Sequence, residues 1–214
     1  MRNESYETSI FINCPFDKEY EPLLEAAIFC CVYLGFHPQL ATARLEAGEV
    51  RLGKVVSLIG KSKFSIHHLS RSKASRKGEA LRMNMPFELG LDMGFRLGGQ
   101  RKHRDKRFLI FEKQRFELKS ALSDIAGQDV DQHEDSFEIL IRKVRNFLKV
   151  EGGIEAPGSQ RILADYETFQ AWLLEKKLEE GHSEQEALDL PVRERIQEMQ
   201  SWIDQGMPVP WFPK

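Results

Sequence analysis

Glu88 is the acidic side chain best placed for catalysis in this chain. It lies two positions past Pro86, in the predicted first turn of a helix, where the helix dipole stabilises a carboxylate. A fixed carboxylate at such a place can stabilise a developing positive charge or attack as a nucleophile. A first-turn glutamate that only supports its helix is the commoner case, so the neighbours of Glu88 must decide between the two.

Polar and basic residues precede Glu88 in the sequence. Asn84 could hydrogen-bond a ligand or orient the glutamate, or it could simply cap the helix. Arg82, together with basic residues of the preceding loop, could hold a phosphate, and a solvated basic loop is the alternative. Those loop residues are Arg71, Lys73, Arg76 and Lys77.

Several common catalytic motifs do not occur in this sequence. There is no Gly-x-Gly-x-x-Gly after the first strand, no Walker A lysine loop, no His-Glu-x-x-His and no Gly-x-Ser-x-Gly. The three cysteines, Cys14, Cys30 and Cys31, indicate neither a disulfide framework nor a metal site. Cys14 is interpreted as a small buried apolar residue rather than a nucleophile. We expect no metal and no resident cofactor.

Strands that alternate with helices must position these side chains. The pattern predicts an α/β fold, a doubly wound parallel sheet of about five strands with helices on both faces. Ligands bind beyond the carboxyl ends of such strands. The strands are predicted at 8–13, 36–42, 63–70 and 107–112, and the helices from Asp17, over 51–61, from Pro86 and over 136–150.

The candidate substrate-binding residues follow directly from this arrangement, because they come just after a strand or open the next helix. His67 and His68 are neighbours in a strand and point to opposite faces, so at least one is structural. Phe87, Gly90, Leu91 and Gly94 are predicted to lie close on the sheet. Asp92 is expected to matter less than Glu88 and to serve as its control. The candidates are Asn13, Pro15, Phe16, Asp17, His68, Arg82, Asn84 and Met85.

Three blocks of sequence carry a resemblance to a known superfamily. They are Phe11-Ile-Asn-Cys-Pro-Phe-Asp17, Phe64-Ser-Ile-His-His-Leu-Ser70 and Asn84-Met-Pro-Phe-Glu-Leu-Gly-Leu-Asp-Met-Gly94. In order and spacing they resemble the TIR-like and nucleoside 2-deoxyribosyltransferase-like superfamily, over roughly residues 8 to 150. The resemblance implies a flavodoxin-like sheet. One departure is His68, which stands where many relatives carry an aspartate that contacts a substrate hydroxyl.

The resemblance also implies an activity, because enzymes of this superfamily cleave N-glycosidic bonds through a glutamate at the position of Glu88. The implied function is an N-glycosidase that acts on NAD or a related nucleotide as substrate, in a bacterial stress or antiphage effector triggered by a partner. Phe16 would flank the base. The alternative is a non-catalytic nucleotide-sensing or scaffold module that acts by self-association.

Composition and charge set the domain organisation. The 214 residues are 41% hydrophobic and 30% charged, as in soluble globular proteins. Residues 1–150 carry 25 basic and 20 acidic side chains (+5), whereas the remainder carry 6 and 13 (−7). We therefore predict a main domain over 1–150, a linker over 151–160 and a helical extension over 161–214, with helices near 161–181 and 191–206.

The partners follow from the same features. No segment has the pattern of a membrane anchor or a signal peptide, so we expect a cytoplasmic protein that does not bind a membrane. The basic run 101–107 lacks interleaved aromatic residues and a recognised binding motif, so nucleic acid is not the expected partner. An activating protein partner or a second copy of the chain remains open. The extension carries apolar residues that could pack on such a neighbour or on this chain's own core.

Overall fold

Five parallel strands form one sheet at the centre of the fold. They are β1 (Ser9–Asn13), β2 (His37–Gln39), β3 (Phe64–His68), β4 (Arg107–Glu112) and β5 (Asp131–Gln132). Their order in the sheet is β2-β1-β3-β4-β5, and every pair is parallel. The predicted α/β, flavodoxin-like doubly wound fold is confirmed. The strand order changes direction between β1 and β3, which is where sheets of this kind bind their ligands.

The computed structural model describes residues 5–15, 17–41, 50–69, 83–113, 122 and 127–209. Seven α-helices lie in these ranges, together with two short 3₁₀ helices, Tyr6–Thr8 and Arg101–Asp105. The α-helices are α1 (Glu21–Tyr33), α2 (Arg51–Lys61), α3 (Asn84–Gly98), α4 (Phe137–Glu151), α5 (Ser159–Glu179), α6 (Glu184–Leu188) and α7 (Val192–Asp204).

Helices cover both faces of the sheet. On one face, Ile10, Ile12 and Phe111 pack in a single apolar cluster with α1 and α4. On the other face, Phe11 packs against α2, and Ile110 packs against α3. Because both faces are covered, the central strands are buried along their whole length, and all five residues of β1 and of β3 are buried.

The second half of α1 is apolar on all sides. Seven consecutive residues, Ala26 to Val32, are buried, because the sheet covers one side of the helix and the C-terminal helices cover the other. The rings of Phe169 on α5 and Trp202 on α7 lie 5.5 and 6.0 Å from the ring of Phe29. The helical extension therefore packs on the main domain and shares its core.

The starts of two helices differ from the sequence-based prediction. Helix α1 begins at Glu21 rather than Asp17, and Pro22 suits its first turn because proline needs no amide donor there. Asp17 instead caps the preceding turn, where its Oδ1 accepts a hydrogen bond from the Tyr20 amide at 3.1 Å. Helix α3 begins at Asn84, two residues before Pro86, so its first turn contains no acidic residue.

No helix in the described part of the chain is both long enough and apolar enough to cross a membrane.

Candidate active site

The predicted site residues of β1 and β3 meet at one edge of the sheet. Asn13 ends β1 and is in register with His67 of the parallel strand β3. Helices α2 and α3 each run back to the start of the following strand, so both begin at this same carboxyl edge. The edge therefore brings together Asn13, the end of β3 and the first turns of α2 and α3.

Glu88 lies on α3 at this edge with a half-buried side chain. It is the fifth residue of α3, so the prediction that it lies in the first turn is wrong, and stabilisation by the helix dipole is weaker than expected. Burial raises the pKa of Glu88 above its ordinary value, and the positive charge of Arg51 opposes that rise. A carboxylate that is partly desolvated and still ionisable can stabilise a cation forming beside it.

Cys14 follows Asn13 at the end of β1. Burial raises the pKa of the Cys14 thiol well above its ordinary value, and the negative charge of Glu88 raises it further. The thiol is 2% exposed and stays protonated, as expected for a small buried residue that is not a nucleophile.

Arg51 is a candidate binding residue that the sequence analysis did not identify. It is the first residue of α2, and its positive charge lowers the pKa of Glu88. Exposed apolar side chains accompany it at the starts of α2 and α3, including Met83 at 56% and Phe87 at 55% exposure. A guanidinium beside apolar side chains suits a ligand with a phosphate and a planar ring. In the sequence, the position of Arg51 at the start of a predicted helix could have indicated this role.

A buried polar network lies beneath α3 at the same edge. The Asn13 amide nitrogen lies 2.9 Å from the Met85 carbonyl oxygen and 3.1 Å from His67 Nδ1. His67 Nε2 lies 3.1 Å from Asp92 Oδ2. Met85 itself packs its side chain into the apolar cluster under α3 and contributes its backbone oxygen to the network. The network ties the start of α3 to the ends of β1 and β3.

Asp92 and Lys106 form an ion pair at the other end of this network. Both side chains are completely buried, with Lys106 Nζ 3.0 Å from Asp92 Oδ1. Lys106 also donates to the carbonyl oxygens of Ile59 and Ser62, and Ser65 donates to Asp92. Burial alone would raise the pKa of Asp92, but the hydrogen bonds from His67 and Ser65 and the charge of Lys106 together lower it. Asp92 is therefore ionised.

This burial changes the expected role of Asp92. An internal control for Glu88 should change charge without disturbing packing, whereas Asp92 is 0% exposed. Asp92 is therefore not a matched control for Glu88, and the expectation that Asp92→Asn has the weaker effect on activity stays a prediction. Of the four α3 residues predicted to lie close on the sheet, Phe87, Gly90 and Gly94 are exposed, so the prediction is wrong for them, whereas Leu91 is half-buried and packs against the cluster that contains Phe11.

His68 points to the opposite face of β3 from His67. It is 1% exposed, and its ring lies 4.5 Å from Tyr20, 4.6 Å from His133 and 5.1 Å from Phe111, measured between ring centroids. The structure therefore does not bring His68 to Glu88, because successive strand residues alternate between faces. His67 is the histidine on the side of α3.

The remaining candidates are distributed around the edge. Pro15 is buried and Asp17 half-buried next to β1, and Asn84 is exposed at the start of α3. Asn84 is not the helix cap, since Met83 occupies that position without a side-chain hydrogen bond. Phe16, Arg82, Arg71, Lys73, Arg76 and Lys77 lie outside the described residues.

Acid should destabilise the fold through the buried imidazoles of His68 and His133. Burial lowers the pKa of His68 well below 6.5, and the charge of His133 adds to this effect. Burial also lowers the pKa of His133. As the pH falls below about 6.5, these imidazoles take up protons in the unfolded chain before they do so in the folded protein. The free energy of unfolding therefore decreases with falling pH, by up to about 1.4 kcal/mol per pH unit for each imidazole.

Urea unfolding of the wild type between pH 8 and pH 5 measures this loss. The variant His68→Leu should show a smaller decrease in the free energy of unfolding over the same range. An identical pH dependence in the two proteins would contradict the assignment to His68.

Metal ligands do not converge in the described ranges, where no group of three or more His, Cys, Asp or Glu side chains is placed to hold an ion. Comparison of the chain with protein-family models, with curated proteins and with solved structures finds no match. The superfamily resemblance thus rests on the three sequence blocks, and the geometry at the carboxyl edge supplies a separate basis for a functional proposal.

Proposed function

We propose that this protein is an N-glycosidase that cleaves the bond between base and sugar in NAD or a related nucleotide, with Glu88 as the catalytic carboxylate. The observation that carries the proposal is the half-buried side chain of Glu88 on α3, which begins at the carboxyl edge of the sheet where parallel sheets bind ligands. The resemblance of the three sequence blocks to the TIR-like and nucleoside 2-deoxyribosyltransferase-like superfamily supports the same activity.

The chemistry needs one negative charge beside the sugar. The bond between C1′ and the base nitrogen breaks with its electron pair going to the base, which leaves a sugar with oxocarbenium character. Glu88 stabilises that cation by its charge or adds to it as a transient nucleophile, and water then supplies the new oxygen at C1′. Nicotinamide is cationic in NAD and leaves as a neutral molecule, so its departure needs no general acid.

The neighbours of Glu88 suit the rest of a nucleotide. Arg51 provides a positive charge for phosphate oxygens, and the exposed side chains of Met83 and Phe87 provide apolar surface for a ring. Asn13 provides an amide at the end of β1. These groups belong to β1, α2 and α3, which all meet at the edge where parallel sheets bind ligands.

A release assay tests the proposal. The purified protein is incubated with NAD, NADP, ATP, deoxynucleotides and nucleosides, and the free bases are separated by chromatography. We expect release of a base from at least one nucleotide, with NAD as the first substrate to try. If none of these compounds loses its base, also in the presence of lysate from phage-infected cells, the N-glycosidase proposal fails.

The cellular setting that accompanies this activity is a bacterial stress or antiphage response in the cytoplasm, with a protein partner that triggers nucleotide depletion. Cys14, Cys30 and Cys31 are free and buried, which suits a reducing compartment.

The outward face of α3 favours a second candidate, a non-catalytic module that acts by self-association. Phe87, Gly90, Leu91, Gly94, Phe95, Gly98 and Gly99 line an open groove of about 560 Å³ there, and Leu97 on the same helix is 83% exposed. A Cβ atom added at Gly94 would touch nothing within 4 Å, so the backbone is open to close approach by another helix.

Gly94→Glu separates this candidate from the first. The new side chain adds a charge to the groove, and its Cβ atom meets no heavy atom of the described residues within 4 Å. If self-association through α3 is the function, sedimentation should show oligomers of the wild type at micromolar concentration and monomers of the variant. The candidate is rejected if the wild type stays monomeric at 100 μM. This concentration is about a hundred times the Kd of a complex with micromolar affinity.

A further inference from the structure

The turn that follows β5 contains two consecutive residues in a backbone conformation that favours glycine. Glu134 and Asp135 have φ angles of 51° and 55°, in the left-handed region. Other residue types hold this conformation only where their surroundings enforce it, and such residues are frequent in segments that switch. Here the residue before them, His133, enforces it.

His133 holds the turn 133–136 through its backbone and through its ring. Its carbonyl oxygen accepts a hydrogen bond from the Ser136 amide at 2.8 Å, and its Nδ1 atom accepts one from the Asp135 amide at 3.0 Å. Since a backbone amide can only donate, Nδ1 carries no proton, and the proton of the neutral ring is on Nε2. The turn 133–136 therefore requires a neutral His133 ring.

The ring of His133 is enclosed by side chains from neighbouring elements. It is 1% exposed, and its Nε2 atom has no hydrogen-bond partner among the residues that the structure describes. Between ring centroids it lies 4.6 Å from His68 of β3, 6.2 Å from Phe111 of β4 and 6.3 Å from Tyr20, which precedes α1. Burial keeps both titratable neighbours neutral, since it lowers the pKa of His68 and raises that of Tyr20.

The charged groups around His133 are already paired. Asp135 Oδ1 lies 3.6 Å from His133 Nδ1, beyond hydrogen-bond distance, and Asp135 Oδ2 pairs with Lys113 at the end of β4 at 2.5 Å. On α4, Lys143 pairs with Asp131 of β5. In the described part of the chain, no carboxylate oxygen is therefore placed to receive a hydrogen bond from a charged His133 ring.

A proton on Nδ1 makes both ring nitrogens donors. Nδ1–H then faces the Asp135 amide, which is also a donor, and Nε2–H stays without a partner in the described ranges. Burial lowers the pKa of His133, while the charge of Asp135 opposes this effect and that of Lys113 adds to it. The charged ring is stable only in water, outside the cluster with His68 and Tyr20.

We propose that the turn 133–136 is a pH-sensitive switch, in which protonation of His133 removes the hydrogen bond between Asp135 and Nδ1 and releases the ring and the left-handed turn from the carboxyl edge. The proton comes from the solvent and binds the lone pair of Nδ1. Little pairing opposes the movement, because β5 is two residues long and pairs with β4 alone. The switch opens the edge at β4 and β5 in acid while the core stays folded, and it does not depend on the proposed activity.

Hydrogen exchange of the Asp135 and Ser136 amides measures this opening, because these amides donate the hydrogen bonds that hold the turn. NMR spectra of the ¹⁵N-labelled protein give their exchange rates between pH 8 and pH 5, corrected for the intrinsic effect of pH on exchange. Because opening binds one proton, the population of the open turn should rise by up to about tenfold per pH unit below about 6.5. The strong NOE that a positive φ produces between the amide and α hydrogens of Glu134 should weaken in parallel.

The matched variant is His133→Asn. The asparagine oxygen can take the place of Nδ1 as the acceptor for the Asp135 amide, but it does not titrate, so the turn should open equally at pH 8 and pH 5. The control is His182→Asn, which removes a histidine from the connection between α5 and α6 and should keep the pH dependence of the wild type.

Two results for the wild type alone would overturn the proposal, whether or not the variants fold. One is an open population of the turn that does not change with pH. The other is exchange of the turn amides at the same opening free energy as the amides of α1 around Phe29, since the turn would then open only when the whole protein unfolds. A folded His133→Asn protein with the pH dependence of the wild type would overturn it as well.

Discussion

Glu88→Gln is expected to lower the rate of base release by a factor of about 10² to 10³ and to leave the fold intact. Glutamine keeps the shape and one carbonyl oxygen but removes the charge that faces the developing oxocarbenium ion. Substrate affinity should change less than turnover, because the charge matters most in the transition state. The free energy of unfolding should stay the same or rise slightly, since burial disfavours the ionised form of Glu88.

The matched control is Glu138→Gln. Glu138 is exposed in the first turn of α4, and Gln160 donates a hydrogen bond to its Oε1 at 2.7 Å, a contact that glutamine can keep. This variant should release base at the wild-type rate. Both variants are assayed under the same conditions. If Glu138→Gln is fully active and Glu88→Gln also keeps substantial activity, the proposed carboxylate mechanism is wrong.

The pH dependence of base release provides a second view of Glu88. The mechanism requires the ionised carboxylate, and burial raises its pKa. The rate should therefore fall with decreasing pH at a higher pH than expected for an exposed glutamate, which titrates near about 4.3.

Lys106→Met is expected to lower the free energy of unfolding by about 3 to 5 kcal/mol. The substitution leaves the completely buried carboxylate of Asp92 without its cation, and an uncompensated buried charge is strongly destabilising. Adding Asp92→Asn should restore most of the loss, because a neutral amide needs no counter-charge and can still accept from His67 and Ser65. Urea unfolding of the wild type, both single variants and the double variant completes the cycle.

Additive effects of the two substitutions would contradict this interpretation. In that case the pair would contribute through packing alone, and the interaction energy from the cycle would be close to zero.

The fold could be predicted from the sequence because the strands and helices are locally consistent. The β-branched and aromatic runs of β1, β3 and β4 have no competing helical pattern, and β4 has the predicted bounds, 107–112. Helix α2 likewise spans the predicted residues 51–61. The parallel order then follows from alternating strands and helices. The two-residue strand β5 is too short to produce a pattern of its own.

The site could be predicted only in part, because its contacts join residues far apart in the chain. The carboxyl edge and the position of Glu88 follow from the topology. The roles of His67 and His68 could not be assigned, since alternation says that they face opposite ways but not which one faces α3. The partner of Asp92 is Lys106, which lies beyond α3 in a loop that reads as solvated basic sequence. Two extra residues at the start of α3 also shifted Glu88 out of the first turn.

Helix α1 also has a consequence for synthesis on the ribosome. Its apolar far side is covered by α5 and α7, and α7 ends at Asp204, which is 171 residues after the end of α1 at Tyr33. At about 5 to 20 residues per second, that interval lasts roughly 9 to 34 s. During this time the sheet can form, but the outer side of α1, centred on Phe29, is covered in part only once α5 has been made and in full only after α7. Until then the nascent chain exposes an apolar helix surface of the kind that makes incomplete chains prone to aggregation.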